Sequence, residues 1–212
     1  MNIYLIRHGR QNSSLCNVNV ELAAEGRRQA ELLGERLTKY HIDALYSSNY
    51  IRAVETAEII NRYLNCQHIL RKDLREISFG ELEGNTEEYI NLNYGSFMKE
   101  QMELTKDIPY PGGECGADVY KRAMLTVREI LNCGKKNIAV VTHGGVIRAL
   151  LTGLLGLDMS KKLLFAVSLE NTSITQLVYD KHYQRFYLQR FNDYAHLEAE
   201  PELLRRNWVE ES

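Results

Sequence analysis

The sequence predicts an α/β fold, a mostly parallel sheet with helices on both faces, and three observations carry that expectation. Short apolar runs of strand length alternate with stretches of helical period, the rhythm of parallel strands joined by crossover helices. One run, Asn137 to Thr142, is nearly continuous and rich in β-branched residues, as suits a strand buried on both faces. The 212 residues, 44% hydrophobic and 25% charged, suffice for a single domain over 1–212 whose core needs no disulfide or metal to hold it.

The elements follow in order along the chain. Residues 2–6 form a strand that breaks at Arg7-His8-Gly9. Ala30, Leu33, Leu37 and Tyr40 recur at helical spacing and predict an amphipathic helix over 24–40. Asp43 to Ser47 is a second strand, followed by a helix that places Ala53, Ala57, Ile60 and Leu64 on one face, with Asn49 as its N-cap. Gln67 to Leu70 is a further short strand, and Val119, Ala123, Val127 and Ile130 define a helix over 118–131. The buried strand 137–142 breaks at His143-Gly144-Gly145 and runs into a helix over 146–155. Segments 173–180 and 185–191 bracket a short connection and predict an antiparallel hairpin. Beyond Tyr194 the chain is strongly charged, which predicts a peripheral tail over 195–212.

Composition excludes several partner classes. Twenty-six basic against 28 acidic residues leave a net charge of −2, without the electrostatic footprint of a nucleic-acid-binding protein. The most apolar stretch, Val146 to Leu157, contains Arg148 and is too short to span a bilayer, so no membrane association is expected. The four cysteines show neither CxxC nor zinc-ligand spacing and read as reduced thiols. Together with an N-terminal run that turns charged at Arg7, they predict a cytoplasmic protein. Composition sets no oligomeric state.

His8 and His143 each end a predicted strand, and each is followed by glycine. Ligands of open α/β sheets gather outside the carboxyl ends of the strands, so two imidazoles face one volume if these strands are neighbours. A metal site would need a third ligand, and the chain offers neither HxH nor HExxH. A phosphate site fits better. Arginine, here Arg7, offers planar bidentate donors to a phosphoryl dianion, and a neutral imidazole can attack phosphorus to form a phosphohistidine.

Five blocks, in order, carry a family resemblance. Leu5-Ile6-Arg7-His8-Gly9 resembles the signature of the histidine phosphatase (phosphoglycerate mutase-like) superfamily. Tyr46-Ser47-Ser48 with Arg52-Ala53 and Glu55-Thr56-Ala57, then Leu74-Arg75-Glu76-Ile77 with Phe79-Gly80-Glu81-Leu82-Glu83-Gly84, resemble its second and third blocks. Pro111-Gly112-Gly113-Glu114 and Val140-Val141-Thr142-His143-Gly144-Gly145 resemble the last two. The resemblance implies a three-layer sandwich with a small lid insertion at 85–110, a segment that holds Tyr89, Tyr94, Phe97, Met98 and Met102. It implies His8 as nucleophile, Arg7, Arg52 and His143 as the phosphate pocket, and Glu76 as general acid, with Glu81, Glu83 and Glu114 as rivals for that last role. Arg7, Arg10, Gln11, Ser14, Arg52, His143 and Gly144 are the expected substrate contacts. No metal or organic cofactor is implied.

The chain departs from the family pattern at Gln11 and Ser14, where Asn12 or Asn17 are possible substitutes, and at Leu82 and Cys115. Arg10 adds a cation beside the nucleophile, either paired with a surface carboxylate or facing a second anionic group on the substrate. The expected activity is metal-independent hydrolysis of a small phosphorylated metabolite by the small-phosphatase branch. The alternatives are mutase-type phosphoryl transfer and a non-catalytic phosphate-binding module. The insertion carries few basic residues, Lys99 and Lys106, which favours the phosphatase over the mutase.

Overall fold

The computed structural model describes residues 1–205. Six strands form one sheet: β1 (Asn2–Arg7), β2 (Ala44–Ser48), β3 (Gln67–Arg71), β4 (Asn137–Thr142), β5 (Ile174–Asp180) and β6 (Arg185–Asp193), in the order β3-β2-β4-β1-β5-β6. The first four are mutually parallel, and β5 and β6 close the β1 edge as an antiparallel hairpin. Helices α1 (Ala24–Leu37) and α2 (Ile51–Leu64) cover one face. Helix α3 (Glu87–Met102) lies in the lid insertion, and α4 (Gly116–Asn132) and α5 (Gly144–Leu154) cover the other face. This is the α/β three-layer architecture that the sequence predicts.

Strand alternation divides the core cleanly. On β1, Tyr4 and Ile6 join Leu33, Leu37, Ala53 and Ile60 on one face, while Ile3 and Leu5 join Val119, Val127, Val146 and Leu150 on the other. β4 divides the same way, with Ala139 and Val141 opposite Ile138 and Val140. A strand with apolar side chains on both faces has no solvent side, which fixes β1 and β4 at the centre of the sheet.

Local chemistry moves several element boundaries. α1 ends at Leu37 rather than running to Tyr40, because Thr38 Oγ1 donates to the Glu35 carbonyl (2.7 Å) and the chain turns through residues 38–40 as a 3-10 helix. Tyr50, not Asn49, is the N-cap residue of α2. Its first amide, Ile51 N, donates instead to Asn19 Oδ1 (2.8 Å), and Asn49 Oδ1 accepts from Arg75 Nε (2.6 Å). α4 starts at Gly116, two residues before the expected Asp118, since Cys115 and Asp118 form a reciprocal capping box. The lid helix α3 buries only Gln101, and so has no apolar stripe for sequence periodicity to reveal.

The charged segment after Tyr194 is docked through Arg205. Leu197, Leu203 and Leu204 are buried with Leu32 and Tyr194 against them, Gln29 Nε2 donates to the Leu203 carbonyl (2.8 Å), and Arg28 pairs with Glu200. Residues 206–212, the rest of the expected tail, lie outside the described residues. His196 anchors this segment in its neutral form. Arg36 Nη1 donates to its Nδ1 (3.3 Å), so Nε2 carries the proton toward Thr172 Oγ1 (3.0 Å), which itself donates to Asn171 O.

Burial first, and the Arg36 charge second, push His196 down to about 3. Between pH 6.5 and 3 the unfolded chain therefore binds a proton that the folded chain refuses, so stability falls as pH falls through that window. The slope from this residue is at most about 1.4 kcal/mol per pH unit. Urea unfolding at pH 7.5, 6 and 5 should show this loss, and His196→Gln should flatten it; parallel slopes for the two proteins would refute the assignment.

Candidate active site

The parallel pairing of β1 and β4 is in register, with Arg7 opposite Thr142, so both strands end at the same level. His8 N donates to Thr142 O (2.9 Å), and the rings of His8 and His143 stand 4.9 Å apart, tilted by 57°. Both side chains are buried. Burial first, then Arg52 and Arg7, holds His8 well below the usual histidine range; for His143, burial comes first and then His8 and Arg52. Both imidazoles are neutral at pH 7.

The hydrogen bonds of His8 assign its tautomer. The His8 Nδ1 lies 2.7 Å from the Gly9 carbonyl, an acceptor, and therefore carries the proton. That leaves a lone pair on Nε2, to which Arg52 Nε donates at 3.2 Å. His143 Nε2 is 2.9 Å from Ser48 Oγ, while its buried Nδ1 has no partner among the described residues. The Nε of Arg7 is likewise buried without a partner among them. Two unsatisfied buried nitrogens beside a neutral imidazole suit an oxyanion, since an orphaned buried donor is costly unless a ligand completes it.

The arginines are held from different elements. Arg52, in the first turn of α2, is buried and also donates to Val18 O (2.8 Å) and Asn17 Oδ1 (2.8 Å). Asn17 has a left-handed backbone (φ 48°), and of the two asparagines weighed from the sequence it is the one that reaches the site; Asn12 instead donates to Glu21 (3.0 Å). Arg7 Nη1 donates to Leu169 O, and burial foremost, with Arg205 next, pushes the guanidinium down to about 9, so it remains cationic at neutral pH.

Glu76 follows β3 through the 3-10 turn at residues 72–74. Its Oε1 accepts from Ile77 N and Gly145 N, both at 2.9 Å. A Cβ on Gly145 would stand 2.4 Å from that oxygen and 2.7 Å from Ile77 Cγ2, so this close approach requires glycine. The rival carboxylates are committed elsewhere. Glu114 receives both Nε and Nη2 of Arg122 (2.8 and 2.9 Å), and Glu83 accepts from Phe79 N (2.9 Å), Asn17 Nδ2 (3.0 Å) and Ser78 Oγ (3.2 Å). Glu81 accepts from the lid residue Tyr94.

Arg122 escaped the sequence reading. From α4 it also donates to the carbonyls of Asp73 (2.7 Å), Arg75 (2.8 Å) and Glu76 (3.0 Å), which holds the whole segment that carries Glu76. Its only sequence signal is a helix position near the Glu114 block.

A cavity of about 280 Å³ opens from Arg7, Glu76 and Gly144. Of the expected substrate contacts, Arg7 and Gly144 line it, while Arg10, Gln11, Ser14, Arg52 and His143 do not. Arg10 Nη1 pairs with Glu25 (3.1 Å), because the loop after β1 turns toward the start of α1. The Gln11 amide donates to its own loop at Ser13 O (3.0 Å) and Leu15 O (3.4 Å), and Ser14 is exposed on that loop. Among the described residues no group of three or more His, Cys, Asp or Glu side chains is placed to hold a metal ion, and no helix is long and apolar enough to cross a membrane.

Comparison with known proteins gives one family. The profile of the histidine phosphatase superfamily (branch 1) matches residues 3–194. Putative phosphoserine phosphatase 2 of Hydrogenobacter thermophilus is 28% identical over 191 residues, covering 82% of this chain and 88% of that protein. Phosphoglycerate mutase-like protein 4 of Arabidopsis thaliana is 34% identical over 157 residues, 70% of this chain and 68% of that one. The solved structure of mycobacterial glucosyl-3-phosphoglycerate phosphatase with VO3 superposes with a TM-score of 0.82 at 25% identity, covering 91% of this chain and 99% of that one.

Arg122→Ala should release the segment around Glu76 while leaving His8, His143 and Arg52 in place. Misplacing one reacting group by about 1 Å costs about 100-fold in rate, so kcat should fall by that order with KM changing little. Steady-state kinetics on the variant check this, and unaltered kcat would show that the segment holds itself.

Proposed function

The chain belongs to the histidine phosphatase superfamily and is a phosphatase; on that premise we propose that it hydrolyses small organic phosphomonoesters, without a metal, through a phosphohistidine on His8. The observation that carries this reading is the neutral, tautomer-fixed imidazole of His8, whose Nε2 lone pair accepts from the buried Arg52. His8 Nε2 attacks phosphorus, a new N–P bond forms, and the P–O bond to the leaving group breaks. Arg7, Arg52 and the unpartnered Nδ1 of His143 donate to the nonbridging oxygens as their charge redistributes.

Glu76 gives its proton to the leaving oxygen, then takes one from the water that cleaves the N–P bond and releases inorganic phosphate. Its place in the wall of the cavity, with rivals Glu83 and Glu114 occupied in structural bonds, supports that assignment. The names of the relatives supply the substrate class, a small phosphorylated metabolite such as a phosphorylated amino acid or hydroxy acid. The mutase-like relative favours a second reading, in which the phosphohistidine returns its group to an acceptor other than water. The four free cysteines suit a reducing compartment, and we place the protein in the cytoplasm.

His8→Ala should lower phosphatase turnover about 1000-fold or more while the thermal transition persists. Alkaline quenching of the unaltered enzyme should trap an acid-labile phosphoenzyme; full activity of the alanine variant would end the phosphohistidine reading. Release of free phosphate, rather than transfer to added glycerate, separates hydrolase from mutase.

Followed in a single turnover as release of the leaving group, Glu76→Gln should slow phosphoenzyme formation from alkyl phosphates about 100-fold or more but from nitrophenyl phosphate less than about tenfold, since an activated leaving group needs no proton. Equal losses on both substrates would make Glu76 a positioning group, and selective loss in Glu83→Gln would transfer the role there.

A further inference from the structure

His8 lies one residue past the end of β1, and residues 8–10 belong to no strand or helix. The polar groups of the two peptides after His8 are bound instead by side chains. In the first peptide, the His8 carbonyl accepts from Asn171 Nδ2 (2.7 Å) and Gly9 N donates to Thr56 Oγ1 (3.0 Å). In the second, Arg10 N donates to Gln29 Oε1 (2.9 Å), and the Gly9 carbonyl is the group that lies 2.7 Å from His8 Nδ1. Asn171, Thr56 and Gln29 are all buried, and they come from the turn before β5, from α2 and from α1.

Two of the three side chains are themselves fixed by a further partner. Thr56 Oγ1 donates its one proton to the Arg52 carbonyl (2.6 Å), so only lone pairs face Gly9 N. The Gln29 amide donates from Nε2 to the Leu203 carbonyl (2.8 Å), which turns Oε1 toward Arg10 N. Thr56 also lies one turn beyond Arg52 on α2, on the same face. One helical turn thus serves both nitrogens of the nucleophile: Arg52 Nε donates to Nε2 (3.2 Å), and Thr56 holds the peptide that leads to the acceptor of Nδ1.

Attack on phosphorus needs the Nε2 lone pair, so the tautomer with its proton on Nε2 is unreactive. The Gly9 carbonyl selects the reactive tautomer, and its direction is set by the plane of its peptide. A rotation that breaks the contact of Arg10 N with Gln29 also swings that carbonyl away from Nδ1. We propose that Asn171, Thr56 and Gln29 are positioning residues for phosphoryl transfer, which clamp the two peptides after His8 and so keep its proton on Nδ1 and its lone pair on Nε2. This deepens the phosphohistidine reading and rests on it. Close packing is the rival restraint, since a Cβ on Gly9 would stand 2.5 Å from Gly26 O.

The test uses near-isosteric variants that keep the packing and remove the hydrogen bond, Thr56→Val and Gln29→Met, with Thr56→Ser as the variant that restores the hydroxyl. With enzyme in excess over nitrophenyl phosphate, nitrophenol release in a single turnover reads phosphoenzyme formation. Thr56→Val and Gln29→Met should each slow it by about ten- to hundredfold, the scale of a misplacement of up to about 1 Å, with little change in the half-saturating concentration. Thr56→Ser should keep most of the native rate. Nitrogen-15 NMR of the His8 ring should show Nδ1 protonated and Nε2 bare in the native protein, and a mixture of tautomers in Gln29→Met. Thermal transitions separate these effects from unfolding, and if Gln29→Met does not fold, the Thr56 pair decides. Native rates in Thr56→Val and Gln29→Met, an unchanged tautomer in Gln29→Met, or equal losses in Thr56→Val and Thr56→Ser would overturn the clamp while leaving the phosphohistidine intact. Absence of any phosphoenzyme in the native protein would overturn both.

Discussion

Two adjacent parallel strands, β1 and β4, are paired so that Arg7 stands opposite Thr142, and the next residue on each is a histidine. Neither strand has a solvent face, so a one-residue slip would move every apolar side chain to the wrong layer of the core. The register is therefore set by the packing of both helical layers, and the distance between the imidazoles follows from it. The helices that start just beyond β2 and β4 bring Arg52 and the glycine pair to the same end of the sheet. Arg7 needs no further element, as it is the last residue of β1 itself.

Concentrating arginines and imidazoles in a buried place works against folding unless something offsets it. The chain limits the cost by keeping His8 and His143 neutral and by giving the guanidinium groups carbonyl acceptors, Leu169 O for Arg7 and Val18 O for Arg52. Among the described residues the Nε of Arg7 and the Nδ1 of His143 have no partner, which suits a site that receives an oxyanion. Donors fixed by the fold need little reorganisation when phosphoryl charge arrives, and the low dielectric strengthens each contact.

The acid side of the site is built differently. Glu76 sits on irregular backbone, and three carbonyls of that segment are held by Arg122 from α4. Gly145 then receives the carboxylate against the first turn of α5, where any side chain would clash. The helix pair α4 and α5 thus orients Glu76, while the sheet orients His8. The lid is attached at its exit, where Asp107 accepts from Gly116 N (2.9 Å), Ala117 N (2.8 Å) and Lys162 Nζ (2.7 Å), tying the loop after α3 to α4 and to the far wall of the cavity.

Much of this was legible in the chain. The strand runs, the helical periods and the two His-Gly breaks predict the layers and the pairing of His8 with His143, because burial imposes a period on sequence. Arg7, Arg52 and Glu76 were named from motif order, and the structure gathers them around those histidines or at the adjoining cavity. What periodicity cannot carry was not legible: α3, which has no buried stripe, and the caps of α2, where Asn19 acts from a distant loop. Arg10 and Gln11 follow the motif closely in sequence, yet their partners, Glu25 for Arg10 and the carbonyls of Ser13 and Leu15 for Gln11, are set by how the loop after β1 folds. Sequence by itself determined the element types, the layering and the two histidines that end neighbouring strands, since these depend on residue chemistry and local spacing. Tertiary structure alone decided how the Glu76 segment is held, because Arg122 lies on α4, far along the chain, and only the packing of that helix brings its guanidinium to the carbonyls of Asp73, Arg75 and Glu76.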